Sequence, residues 1–156
     1  MYLRFRQRMF SWLDSYDIYD EQGQPVYEVR GELSWGHRLQ IYDAAGRPVG
    51  RVQERVLSLL PRFELYLGEQ FVGMIRKEFT FFRPRFQLDC NGWQVEGDVF
   101  GWDYTVWDGS RVVMRLSKEL WRWTDTYTMD IARPQDALCC LMIVLAIDAA
   151  KCSDGK

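Results

Sequence analysis

The sequence contains a single histidine, His37, among 156 residues. Every mechanism that needs two imidazoles is therefore excluded. Cysteine is sparse and poorly spaced for chemistry: Cys90, Cys139, Cys140 and Cys152 form no CxxC, and two of them are neighbours in an apolar stretch. Zinc and thioredoxin-type readings fail on that spacing, and free thiols of a cytosolic protein are expected. Nor is there an excess of positive charge. Lys plus Arg number 20 against 22 Asp plus Glu, a formal net charge of -2, which argues against a nucleic-acid partner. Met1 to Leu13 is interrupted by Arg4, Arg6 and Arg8 and lacks the apolar core of a secretory signal. No lipidation signal, glycine-rich phosphate loop, HExxH or nucleophile elbow occurs. These absences leave any reaction or ligand unnamed, with no metal and no cofactor expected.

Apolar and aromatic residues are plentiful, at 47% and 15% of the chain. That content builds a sizeable core and excludes disorder. The length fits one domain, and no linker or composition break divides it, so residues 1–156 read as a single unit.

Short strands dominate the pattern. Tyr2-Leu3-Arg4-Phe5-Arg6 alternates apolar with polar or basic residues, the period-two signature of a half-buried strand. Segments of the same style follow at 15–19, 26–30, 39–42, 49–56, 63–67, 70–79, 86–88, 93–99, 104–107, 111–117 and 126–131. Asn91-Gly92 and Asp108-Gly109 are strong hairpin signals, because these residues tolerate positive φ. About a dozen closely spaced strands predict an antiparallel sandwich or barrel. Ile18-Tyr19-Asp20-x-x-Gly23-x-Pro25-Val26 recurs as Ile41-Tyr42-Asp43-x-x-Gly46-x-Pro48-Val49, so one hairpin unit is expected twice.

The C-terminal segment differs in kind. After Pro134 and Asp136, which suit the start of a helix, Ala137 to Ile147 carries no charged residue. A helix apolar on every face belongs in a membrane or in the centre of a core. About fifteen helical residues span roughly 22 Å, short of the ~30 Å hydrocarbon layer, and Asp148 interrupts the run. The expectation is a buried helix with Leu141, Val144 and Leu145 as structural residues, and no membrane span. Asp148 should pair with an Arg or Lys at the barrel mouth, or be solvated there.

Three stretches carry a family resemblance: Val72-Gly73-x-Ile75-x-Lys77, Asp125-Thr126-Tyr127-Thr128-Met129-Asp130-Ile131, and Asp136-x-Leu138…Ile143-Val144-Leu145-Ala146-Ile147-Asp148. In this order and spacing the chain resembles the LURP-one-related family, of the tubby C-terminal-like fold shared with phospholipid scramblases. The resemblance covers essentially the whole chain. It implies a closed, mainly β antiparallel barrel of about twelve strands enclosing the hydrophobic C-terminal helix, and no established enzymatic activity. The calcium segment of scramblases has no match here. Residues Asp125 to Asp136 lack glycine at the sixth position, where Asp130 stands, and end in Asp rather than a bidentate Glu.

A lumen filled by the chain's own helix leaves no room for a carried ligand, which moves function to the outer surface. Arg4, Arg6 and Arg8 share strand parity. Arg76, Lys77, Arg83 and Arg85 flank the aromatic run Phe79-Thr80-Phe81-Phe82. These seven cations are the candidate lipid- or anion-binding residues, and no catalytic residue is assigned. The expected partner is an anionic membrane surface, with a cytoplasmic protein resting peripherally on it; the alternative is a protein partner bound by a scaffold. A third reading, a carboxylate-dependent enzyme, would use pairs such as Glu96 with Asp98 or Glu119 with Asp125. His37, beside Gly36, is expected in a turn.

Overall fold

The structure is a computed structural model that describes residues 1–6, 15–34, 36–56, 59–79, 84–121 and 124–152. Alternation in Tyr2–Arg6 produces strand β1, with Leu3 and Phe5 buried and Tyr2, Arg4 and Arg6 exposed. The same rule builds β2 (Ser15–Tyr19), β3 (Pro25–Ser34), β4 (Gly36–Asp43), β5 (Pro48–Glu54) and β6 (Arg62–Leu67). It continues through β7 (Gln70–Phe79), β8 (Pro84–Cys90), β9 (Gln94–Asp98), β10 (Asp103–Asp108), β11 (Arg111–Trp121) and β12 (Thr124–Ile131).

All twelve form one antiparallel sheet in the order β8-β7-β6-β5-β4-β3-β2-β1-β12-β11-β10-β9. Pairing of β1 with β12 joins the first and last strands, and Met1 O accepts a hydrogen bond of 2.8 Å from Ile131 N. The two edges, β8 and β9, are consecutive in the chain. They meet at the Cys90–Trp93 turn but form no ladder. The result is a nearly closed barrel with one seam.

The repeated hairpin unit takes the same geometry twice. Asp20 Oδ1 accepts from Gln22 N and Gln24 N, both at 2.9 Å. Asp43 Oδ1 accepts from Ala45 N at 3.0 Å and Arg47 N at 2.9 Å. Gly23 and Gly46 hold φ of 78° and 79°, the left-handed conformation that glycine supplies without steric cost. These turns and those at 68–69, 91–92 and 109–110 lie at one end of the barrel, here the hairpin end.

Several strands run longer than the sequence suggests, β3 and β4 among them, and one expectation is corrected. The segments expected at 26–30 and 39–42 extend toward each other: Gly31 faces Leu39, Glu32 faces Arg38 and Leu33 faces His37 in a continuous ladder. Glycine weakens a strand without ending it when both sides can pair. His37 therefore lies in β4 rather than in a turn.

A single 3-10 turn, Pro134–Asp136, leads into helix α1 (Ala137–Cys152). Its 16 residues extend about 24 Å at 1.5 Å each, and among the described residues no helix is long and apolar enough to cross a membrane. Cys140 to Ile147 are all buried, with Leu141, Val144 and Leu145 in the middle of the lumen. The helix enters at the hairpin end, where Met142 and Leu138 crowd Gly50. It leaves at the far end, where Lys151 Nζ donates to Val99 O at 2.8 Å.

Gly73 packs even more tightly. A Cβ there would meet Asp89 O at 2.5 Å and Cys90 Cβ at 2.7 Å, and a backbone oxygen cannot rotate aside. Gly73→Ala is expected to destabilise by about 1–3 kcal/mol in denaturant unfolding, in line with overpacking. An unchanged midpoint would show that β8 can move outward freely.

Candidate functional site

The outer faces of β5, β6 and β7 bring together three arginines that are far apart in sequence. Arg62 lies directly opposite Arg76 in the β6–β7 ladder. Arg55, just past β5, donates its backbone N–H to Arg62 O at 2.9 Å and so continues the row. Directly opposed residues share a face, and like charges placed so are unfavourable. Inward-pointing Phe63, Ile75 and Lys77 on either side of Arg62 and Arg76 fix that face as the outer one.

Neighbouring cations are already engaged. Arg55 Nε lies 2.8 Å from Glu64 Oε1, and Glu64 Oε2 accepts from Tyr66 Oη at 2.5 Å. Arg51 stacks 4.2 Å from the Tyr66 ring centroid and approaches Glu69 at 3.7 Å. Arg62 and Arg76 each carry an unmet donor: the Nε–H of each, like that of Arg51, is screened from solvent and meets no acceptor among the described residues. A screened donor without a partner is unfavourable. Two guanidinium groups thus stand abreast with hydrogen-bonding capacity unused.

The cations expected from the sequence are distributed less simply. Arg76 belongs to the row, and Arg85 is exposed on β8. Lys77 is corrected: it has no exposed surface and faces the lumen, with Nζ 6.0 Å from the Phe86 ring centroid. Adjacent strand residues point to opposite faces, so Arg76 and Lys77 cannot form one patch. Arg4 and Arg6 share the outer face of β1, as their parity requires. There they line a cleft of about 460 Å³ with Asp20, Glu21 and Glu119, a mixed rather than basic surface. Beside that cleft, among the described residues, β1 pairs with β2 only at Arg4 and Tyr19. Arg8 and Arg83 lie outside the described residues. Arg55 and Arg62 were not singled out from the sequence. The signal that could have found them is parity, which places them beside Arg76 once the β5–β6 register is known.

Asp148 is half-buried at the far end of α1, and no cation lies within 4 Å of it among the described residues. Lys151, one turn on, is engaged elsewhere, over the Trp102 ring at 3.6 Å and on Val99 O. Burial pushes the Asp148 carboxyl up to about 6, with Lys151 pulling weakly the other way. Of the two expected arrangements, the ion pair is not formed among the described residues, and Asp148 keeps partial solvent exposure. Tyr16 and Tyr104, both raised by burial and by the Asp148 charge, face it from the sheet. Cys90 and Cys140 are buried free thiols. Burial pushes Cys90 up to about 12, which leaves it inert as a nucleophile.

Of the carboxylates weighed for catalysis, Glu96 is exposed and Asp98 Oδ1 accepts from Gly101 N at 2.9 Å. Glu119 lines the β1–β2 cleft. No set of three His, Cys, Asp or Glu among the described residues could hold a metal ion.

Comparisons with known proteins agree with this architecture. The chain is 33% identical over 153 residues to the uncharacterised protein YxjI of Bacillus subtilis strain 168, covering 97% of this chain and 94% of that one. An Arabidopsis thaliana protein solved by X-ray diffraction superposes with a TM-score of 0.64 at 15% identity, over 95% of this chain and 90% of that one. At that identity the likeness is one of fold. The LURP-one-related family profile matches residues 1–148, and the chain belongs to the LURP-one-related family.

Proposed function

We propose that the protein is a non-catalytic barrel module that associates with anionic membrane surfaces through the Arg55–Arg62–Arg76 row. The observation that carries this reading is the pair Arg62 and Arg76, directly opposed on the outer face of two neighbouring strands. A phosphate oxygen set between two guanidinium groups relieves their repulsion and accepts their hydrogen bonds, in charge-assisted geometry. A cation close to an anionic leaflet contributes about 1 kcal/mol, so a few of them give weak, reversible, salt-sensitive attachment.

Flotation with phosphatidylserine-containing vesicles, against phosphatidylcholine alone, tests this directly. Binding should appear only with the anionic lipid and fall steeply as ionic strength rises. The Arg62→Gln/Arg76→Gln double variant should lose about 2 kcal/mol, roughly thirtyfold in affinity. Lys77→Met should bind as the parent does, because its ammonium faces the lumen. Equal flotation with both lipids, or a double variant that binds like the parent, would end this reading.

A further inference from the structure

The seam of the barrel offers a second surface with different chemistry. β8 and β9 are the terminal strands of the sheet, so each presents one edge of backbone N–H and C=O groups that the sheet does not use. A cleft of about 750 Å³ opens between them toward the far end. Its apolar wall comes from Phe86, Val95 and Phe100, with the Phe86 and Phe100 rings 5.7 Å apart. Its outer rim carries Glu78 and Asp98 against Arg85, and exposed Asp89 and Glu96 extend the acidic margin along both edge strands. Among the described residues, four carboxylates thus outnumber Arg85 and the neighbouring Arg76, which lies opposite Gln87.

We infer that the seam accepts an extended basic segment of a partner protein, inserted as a further strand between β8 and β9. Such a segment meets all three properties of the cleft at once. Its backbone pairs with the two unused edges, which is the main source of affinity in strand addition. Its alternate residues point to opposite faces, so apolar side chains meet Phe86, Val95 and Phe100 while Lys or Arg side chains face the acidic rim. A small apolar ligand would use only the first wall and leave both edges unpaired. A second copy of this chain would bring four carboxylates against four more, which is repulsive.

The test uses the full chain and a fluorescent, end-capped heptapeptide of alternating Lys and Val, with a Glu–Val counterpart as control. The Lys–Val peptide should bind and slow amide hydrogen exchange in 85–88 and 95–98, while the Glu–Val peptide does neither. Because Asp89 and Glu96 are exposed, Asp89→Lys/Glu96→Lys should melt like the parent yet bind the Lys–Val peptide about tenfold or more weakly, through like-charge contact. Equal binding of the two peptides, protection outside β8 and β9, or concentration-dependent self-association that itself protects the seam would each overturn the inference. The arginine-row variant Arg62→Gln/Arg76→Gln should not weaken peptide binding, which separates this surface from the membrane-facing one.

Discussion

Leu141→Asp is expected to abolish the cooperative thermal transition of the protein. Leu141 has no exposed surface and lies in the second turn of a helix enclosed by the sheet. Losing a buried leucine side chain alone costs about 2–5 kcal/mol. An unpaired carboxylate in the same place adds several kcal/mol more, because the lumen around it is lined by apolar side chains. Together these approach or exceed the whole stability of an ordinary domain, about 5–15 kcal/mol. Leu141→Met keeps volume and apolarity and should cost under about 1.5 kcal/mol. Circular dichroism melts of the two variants beside the parent check the claim. A Leu141→Asp protein melting within a few degrees of the parent would mean that the helix is not what fills the barrel.

Asp148 should make the protein gain stability on mild acidification, against the usual direction for carboxylates. Its folded-state carboxyl stands at about 6 against an ordinary 3.8, with burial as the main cause. The folded chain therefore holds this proton more tightly than the unfolded chain does. The penalty is absent well below the unfolded value of 3.8, grows as pH rises from there, and is essentially complete above about 6. It amounts to roughly 2–3 kcal/mol at full ionisation. The groups around it do not cancel this: Tyr16 and Tyr104 stay neutral, and the Lys151 ammonium is committed to Val99 O and Trp102. Asp148→Asn should thus be the more stable protein at pH 7.5 and lose its advantage as pH falls from about 6 to below 3.8. Denaturant midpoints of both proteins across that range decide it, and a constant difference at every pH would refute the assignment.

Much of this architecture was legible in the sequence because a strand's period is two. The alternation in Tyr2–Arg6 correctly placed Leu3 and Phe5 inward, and the Asp-x-x-Gly repeat specified two hairpins that match bond for bond. The all-apolar stretch after Pro134 could only be a core element or a span, and its length chose the core. Period two also contained information that adjacency obscured. Arg76 and Lys77 look like a basic pair when read as neighbours, yet Ile75 beside them already assigns Lys77 to the lumen. The Arg55–Arg62–Arg76 row was illegible for another reason. It depends on register across 56–61, and register follows from where a ladder resumes after a turn rather than from any residue within it. The seam was hidden in a similar way. Asn91-Gly92 forms the reversal expected of it, with φ of 56° and 71°, but a turn dictates that the chain doubles back, not that the flanking strands go on to pair.

One consequence follows from the position of α1 in the chain. Ribosomes deliver the strands first, and neighbouring hairpins can zip together as they emerge. The segment that those hairpins must wrap is delivered after all of them, and so is the β12 partner that β1 requires. While Ala137 to Cys152 is still in the exit tunnel, the nascent sheet has an uncovered greasy concavity and nothing to close around. The decisive step of productive folding therefore waits for α1 to emerge. Until that step, shielding from other nascent chains, rather than speed of hairpin formation, governs how much protein survives to function.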